Sequence, residues 1–216
     1  SLHMIEDVER LNILAKSANK FMSVTIGFTG IRHKITFADS LNFLKGSLEK
    51  LTSNLVKKSK GGKLIDFFPT NHEFFNEIYE GDDDTNINLL LRKGVFPYKY
   101  LTSLDVLNDE KLPPREAFFN DLADEEVSEE DYAHAEQVWT TFNCRNFRDY
   151  HDLYMRLDVC QLSDIFQYFH CQSFKNYGLD PVFFVSSPGL SWQACLFITQ
   201  QSLDIIEDVE IATFIN

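Results

Sequence analysis

The stretch Tyr150-His151-Asp152-Leu153-Tyr154-Met155-Arg156-Leu157-Asp158-Val159 lies in a run without Pro or Gly from Asn146 to Tyr177. That run predicts one long helix from about 147 to 176, ended by Gly178 in the manner of a C-cap glycine. Positions 154, 158, 162, 165 and 169 share a face at helical spacing and hold Tyr, Asp, Leu, Ile and Phe. Asp158 therefore takes a slot on an otherwise apolar face. A carboxylate there is costly unless a metal, a cation or hydrogen bonds compensate it. Tyr154, one turn earlier, is close enough to share whatever Asp158 binds. Two readings stand: a merely structural pair with the Asp reaching solvent at the edge of the face, or a ligand-binding pair.

The chain has 216 residues, enough for one generous core or two small ones. Its 20 Phe predict a core rich in aromatic packing. No apolar run approaches the ~20 residues that span a bilayer, so no membrane partner is expected. No signal-peptide pattern opens the chain, and Ser1-Leu2-His3-Met4 reads as a cloning remnant. The formal charge of −13 argues against a free-standing nucleic-acid binder. Lysines gather locally, however, at Lys45, Lys50, Lys57, Lys58, Lys60 and Lys63, with Glu49 the one acid among them. They form either a solvated face or a contact to a phosphate backbone. Cysteines 144, 160, 171 and 195 make no C-x-x-C, and no His pair has zinc-site spacing. They read as reduced thiols of an intracellular protein, nuclear or cytoplasmic.

Along the chain, Val8, Leu11, Leu14 and Ala15 predict an amphipathic helix over 5–20. Phe21 to Phe28, the turn Thr29-Gly30 and Lys34 to Ala38 predict a β-hairpin. Ser40 is expected to cap a helix over 41–57, with Leu41, Leu44, Leu48, Leu51 and Leu55 on one face. Short helices are expected over 71–79, 86–93 and, with Pro114 at its first position, to about 121. Ser128 should cap a helix over 129–142. After the long helix, further helices are expected near 190–199 and 208–215. The fold class is α+β, mainly helical, with one β-hairpin or small sheet.

Several phrases are more specific. They are Phe37-Ala38-Asp39-Ser40-Leu41 followed by Gly46 to Leu51; Arg92-Lys93-Gly94-Val95-Phe96-Pro97-Tyr98; Lys111 to Phe118; Asp131-Tyr132-Ala133-His134-Ala135; Tyr150 to Asp158; Tyr177 to Pro181; and Ser187 to Trp192. In this order they resemble the protein-primed branch of family B DNA polymerases, as found in Maverick/Polinton transposons, viruses and linear plasmids. The resemblance spans about residues 5–216. It implies the later part of a 3′–5′ exonuclease domain of ribonuclease-H-like fold over 5–178, and a helical approach to the polymerase palm over 179–216. It implies two-metal hydrolysis with Mg²⁺ or Mn²⁺ in the intact enzyme, DNA as partner, Asp158 as a metal ligand and Tyr154 orienting the attacking water. Lys63 is the candidate lysine near the scissile phosphate, with Lys60 close behind, and Lys57, Lys58, Lys60 and Lys63 are the candidate DNA contacts.

The family's first carboxylate motif, Asp-x-Glu on a buried strand, should precede the hairpin. Asp7-Val8-Glu9 has the letters but sits in what reads as a polar helix, and is taken as coincidence. No second motif precedes Phe21. With one of at least four metal carboxylates, the chain is expected to bind no ion alone and to lack exonuclease and polymerase activity. Gln161 stands where relatives carry leucines, which suggests altered packing. The alternative is a polymerase remnant taken over by its host as a protein-binding or oligomerisation module, since a piece of a divided domain should expose part of a former core.

Overall fold

The computed structural model describes residues 8–17, 20–79, 84–121 and 124–203. The chain divides into two units, one comprising 1–45 with 170–216 and the other 46–169. The α+β class holds, mainly helical with one small antiparallel sheet.

In the first unit, β1 (Val8–Ser17), β2 (Lys20–Phe28) and β3 (Lys34–Ala38) form an antiparallel sheet in the order β1-β2-β3. The hairpin of β2 and β3 is as expected, with Gly30 supplying the positive φ of 73° at its turn. The helix expected over 5–20 is corrected: Val8–Ser17 is a strand. The apolar residues of this segment fit both periods, since Leu11, Ile13 and Ala15 also alternate, and pairing with β2 decides between them. The helix expected from Ser40 is also corrected. Asp39 caps a single 3₁₀ turn over Ser40–Asn42, its Oδ1 accepting from the Leu41 N–H at 2.9 Å. Gly46 and Ser47 then intervene, so Leu41 and Leu44 never join the helix that follows.

The final helix of the described chain, α6 (Ser187–Thr199), starts three residues earlier than expected because Pro188 fits its first turn. Ser187 Oγ donates to the Phe43 carbonyl at 2.7 Å, tying α6 to the segment after the sheet. The helix expected over 208–215 lies outside the described residues.

The second unit holds α1 (Leu48–Ser59), α2 (Pro69–Ile78), α3 (Asp84–Leu91), α4 (Glu129–Thr141) and residues 147–169 of α5 (Phe147–Tyr177). Ser47 caps α1 and Ser128 caps α4, each hydroxyl accepting an N–H three residues on. The helix expected from Pro114 is a four-residue 3₁₀ turn, Arg115–Phe118, and Pro114 is its N-cap. α5 ends at Gly178, whose N–H donates to the Phe174 carbonyl at 2.8 Å and whose φ is 66°. The core is aromatic as expected: Phe74, Phe75, Phe96, Phe118, Phe147 and Tyr150 are all buried around Ile87, Leu90 and Val138.

The buried face of α5 runs through Phe147, Tyr150, Leu153, Gln161, Asp164 and Ile165. It lies beside the face expected from positions 154, 158, 162, 165 and 169, so Asp158 and Leu162 fall at its exposed edge. The buried carboxylate of α5 is Asp164. Its Oδ1 accepts from the Thr70 N–H and its Oδ2 from the Asn71 N–H, both at 2.9 Å, and Oδ2 also accepts from Asn71 Nδ2 at 2.7 Å. These are the N–H groups of the second and third residues of α2, whose first residue, Pro69, has none. The N-cap residue, Phe68, offers no side-chain acceptor, so α5 caps α2 from outside. Gln161 adds a second polar tie. Its Oε1 accepts from Thr52 Oγ1 at 3.3 Å on α1, and its Nε2 donates to the Leu90 carbonyl at 2.7 Å on α3.

Asp164→Ala leaves the buried Asn71 N–H, the part-buried Thr70 N–H and the Asn71 amide without their acceptor. Each hydrogen bond to a charged group is worth about 1.5–3 kcal/mol, so the expected loss is about 3 kcal/mol or more. Urea unfolding followed by circular dichroism should show a lowered midpoint. A midpoint within error of wild type would remove Asp164 from this role.

Candidate functional site

The predicted pair sits where three of the sequence phrases converge within the second unit. Gly94, just past the end of α3, packs close to the Tyr154 ring: a Cβ there would stand 3.3 Å from Tyr154 Cδ2. The following residues wrap α5. Phe96 stacks on Tyr154 with ring centres 5.0 Å apart, and on Phe147 at 5.6 Å. Tyr150 donates its hydroxyl to the Val95 carbonyl at 2.7 Å. The Tyr98 and Tyr154 hydroxyls are 3.0 Å apart. From α4, His134 Nε2 lies 3.0 Å from the Leu89 carbonyl, which assigns the proton to that nitrogen.

Tyr154, Asp158, Arg92, Gly94, His134 and Gln161 are among the groups lining a narrow cleft. Its inner space of about 20 Å³ takes one water-sized group. Tyr154 is partly buried and its phenol is held neutral, first by desolvation and then by the Tyr98 hydrogen bond. Asp158 stands at the rim. It is open to solvent on its outer side, yet desolvation by the cleft wall raises its carboxyl above the usual range, and only the charge of Lys93 opposes this. Burial lowers the pKa of His134, so the imidazole is neutral at pH 7. Arg92 is committed to the start of α4, 2.9 Å from Asp131 and 3.1 Å from Glu130. Lys93 is 3.5 Å from Glu49.

The structure thus brings Tyr154 and Asp158 together but places the predicted lysines elsewhere. Lys63 is exposed in the loop before the 3₁₀ turn Leu64–Asp66 and does not line the cleft. Lys57 and Lys58 lie in the last turn of α1 and Lys60 caps it, all three exposed. Lys58 Nζ is 5.1 Å from the centre of the Tyr168 ring, which in turn stacks on Phe67. The cation that Asp158 senses is Lys93, not Lys63. Sequence reasoning quoted Lys93, Tyr98 and His134 within its phrases but gave none of them a place in the site. The available signal was that an extended Gly-Val-Phe-Pro-Tyr segment must pack its aromatics somewhere, and the longest helix is the largest surface on offer.

The donor set does not fit a divalent ion by itself. Such an ion takes several oxygen ligands. Here the cleft supplies one carboxylate, a phenol already paired with Tyr98, and the cation Arg92, with the charge of Lys93 acting on Asp158 from outside its lining. Among the described residues no group of three or more His, Cys, Asp or Glu gathers in ligand geometry. Nor is any helix among them long and apolar enough to cross a membrane. Comparison with known proteins finds no matching family model, no matching curated protein and no matching solved structure.

The raised pKa of Asp158 has a stability consequence with a definite sign. The fold prefers the protonated acid, so its contribution is fully present below the unfolded value of about 3.8 and is lost as pH rises through the higher folded value. Asp158→Asn should therefore be neutral near pH 3 and mildly stabilising at pH 7. Urea midpoints at the two pH values check this. An Asn variant less stable than wild type at pH 7 would mean that the carboxylate has a compensating partner.

Proposed function

We propose that this chain is the later part of the 3′–5′ exonuclease region of a protein-primed family B DNA polymerase, and that it is catalytically silent alone. The observation that carries the reading is the convergence of the phrases 92–98, 131–135 and 150–158 on Tyr154 and Asp158. Segments that resemble one family separately pack around the two residues to which that resemblance gives a catalytic role. In the intact enzyme the fold would be completed to a ribonuclease-H-like domain, with 179–216 leading to the palm, acting inside the cell on DNA. A divalent Mg²⁺ or Mn²⁺ would supply water activation and stabilise the leaving 3′ oxygen.

This chain's own residues would contribute one ligand, Asp158, and a neutral hydroxyl, Tyr154, held in place by Tyr98, Phe96 and Gly94. Carboxylates from elsewhere must complete the ion site. Asp7-Val8-Glu9 remains an unsuitable supplier, for a corrected reason: Val8 and Glu9 belong to a strand rather than a helix, but Glu9 is exposed there. Lys57, Lys58, Lys60 and Lys63 are all exposed between the last turn of α1 and the next 3₁₀ turn, and Lys58 lies over the Tyr168 ring that stacks on Phe67. This lysine-rich stretch suits a phosphate backbone better than the acidic remainder of the chain does.

A second reading is favoured by a different observation. The sheet of the first unit leaves Leu11, Ile13, Ile35 and Phe37 exposed, as expected of a polymerase remnant kept by its host as a protein-binding or oligomerisation module.

Incubation of the chain with a 3′-labelled single-stranded oligonucleotide and Mg²⁺ or Mn²⁺ should release no label. Release that Asp158→Asn abolishes would overturn the claim of silence. Binding to the same strand should be weak and fall steeply with salt, and reversing Lys57, Lys58, Lys60 and Lys63 to Glu should remove it. Binding insensitive to those four changes would remove these lysines from the reading.

A further inference from the structure

The sheet of the first unit has two chemically distinct sides, set by its register. Leu11 pairs with Ile26 and Ile26 with Ile35; Ile13 pairs with Val24 and Val24 with Phe37. Directly paired residues of antiparallel strands point to the same side, so one face carries two cross-strand rows of three apolar side chains. The opposite face carries Asn12, Thr25 and Thr36, with a 3.0 Å hydrogen bond between the two Thr hydroxyls, and Arg10 and Lys34 flanking Gly27. The apolar rows are open to solvent: Leu11, Ile13, Ile35 and Phe37 expose 57, 46, 50 and 58 % of their surface. A three-stranded sheet gains stability when such a face is packed against something.

We propose that this face packs against the same face of a second copy of the chain, as a two-sheet sandwich about a twofold axis. This deepens the second reading above by naming the partner and the surface. Two observations select an identical copy. First, no charged or hydrogen-bonding side chain interrupts either row. An opposing identical face therefore meets hydrocarbon with hydrocarbon, and Arg10 and Lys34 stay in water on the far side. Second, the area is adequate. Four half-exposed large side chains and the partly covered Val24 and Ile26 offer roughly 500 Å² per copy. Two copies bury on the order of 1,000 Å², the lower bound of a specific interface. The sheets would lie about 10 Å apart with aligned strands. The small area sets the expected strength: association in the micromolar range rather than an obligate dimer.

Sedimentation equilibrium over a wide concentration range tests this on the full chain. Wild type should show a reversible monomer–dimer equilibrium. Ile13→Lys and Phe37→Lys, which place a charge in the centre of the face twice per dimer, should weaken it by about 100-fold or more. Thr25→Lys puts the same charge on the same sheet but on the polar face, and should leave the equilibrium unchanged. Circular dichroism of all three variants controls for folding. A dimer that survives both face variants overturns the proposal, and so does a wild-type chain that stays monomeric. In the monomeric case a solvatochromic apolar dye separates the two claims. Dye binding lost in Phe37→Lys keeps the interaction-module reading and assigns the face to a different protein; no dye binding removes both.

Discussion

The second unit depends on one buried carboxylate. Asp164 sits on the longest helix and binds the N-terminus of α2, where Pro69 and Phe68 supply neither a donor to spare nor an acceptor to cap with. The bond is therefore tertiary and local at once. Without α5, the first turn of α2 has unpaired N–H groups; without α2, α5 carries an uncompensated charge in its buried face. Gln161, one turn before, does the same between α1 and α3 with an amide in place of a carboxylate. Polar ties of this kind add less stability than specificity, since each is satisfied in one register of helix against helix. They fix which side of α5 faces inward, and that in turn sets Tyr154 half in and Asp158 at the rim.

The rim position gives Asp158 a character that packing alone does not require. A surface Asp is neutral in cost and a buried one is matched by donors, as Asp164 is. Asp158 is neither: it is close enough to the cleft wall to lose solvation, and no hydrogen bond to it is made from the described residues. Lys93, the cation that offsets this among the described residues, is shared with Glu49. Around it the structure is tightly specified. Phe96 stacks on Tyr154, Gly94 admits the ring at a distance that a side chain would close, and Tyr98 fixes the hydroxyl. An unfavourable carboxylate beside a well-positioned phenol is the combination expected where stability has been traded for a site.

How much of this was legible in the sequence varies by element. α4 and α5 were read almost to the residue, because Ser128 and Gly178 are strong stop and start signals and the intervening runs contain no breaker. β2 and β3 were legible for the same reason at period two. β1 was not, because Val8, Leu11, Leu14 and Ala15 satisfy the helical period while Leu11, Ile13 and Ala15 satisfy the strand period, and the choice is made by β2, seen only in three dimensions. On α5 the five positions read as one face were off by about one residue. Helical spacing defines stripes but not which stripe is buried, and the inward stripe here includes two polar residues, Gln161 and Asp164, that a search for apolar periodicity passes over. Tyr154 and Asp158 are singled out by the resemblance and the lysines by charge alone. That the two do not meet in the cleft was not legible, since chain distance from Lys63 to Asp158 says nothing about geometry.

The two units present opposite problems of solvation. The second buries an aromatic core and uses polar side chains to fix helix register. The first leaves a complete apolar sheet face in water while its polar face carries Arg10 and Lys34, so its sidedness is decided by sequence but not used within the described residues. A sheet with so regular an alternation is not a failed core. Its register keeps every large aliphatic residue of the two rows on one side, and a one-residue slip would scatter them across both. Such order costs a chain that stays alone and benefits one that meets a matching surface, which is the physical reason to regard this face as an interface and not as a defect.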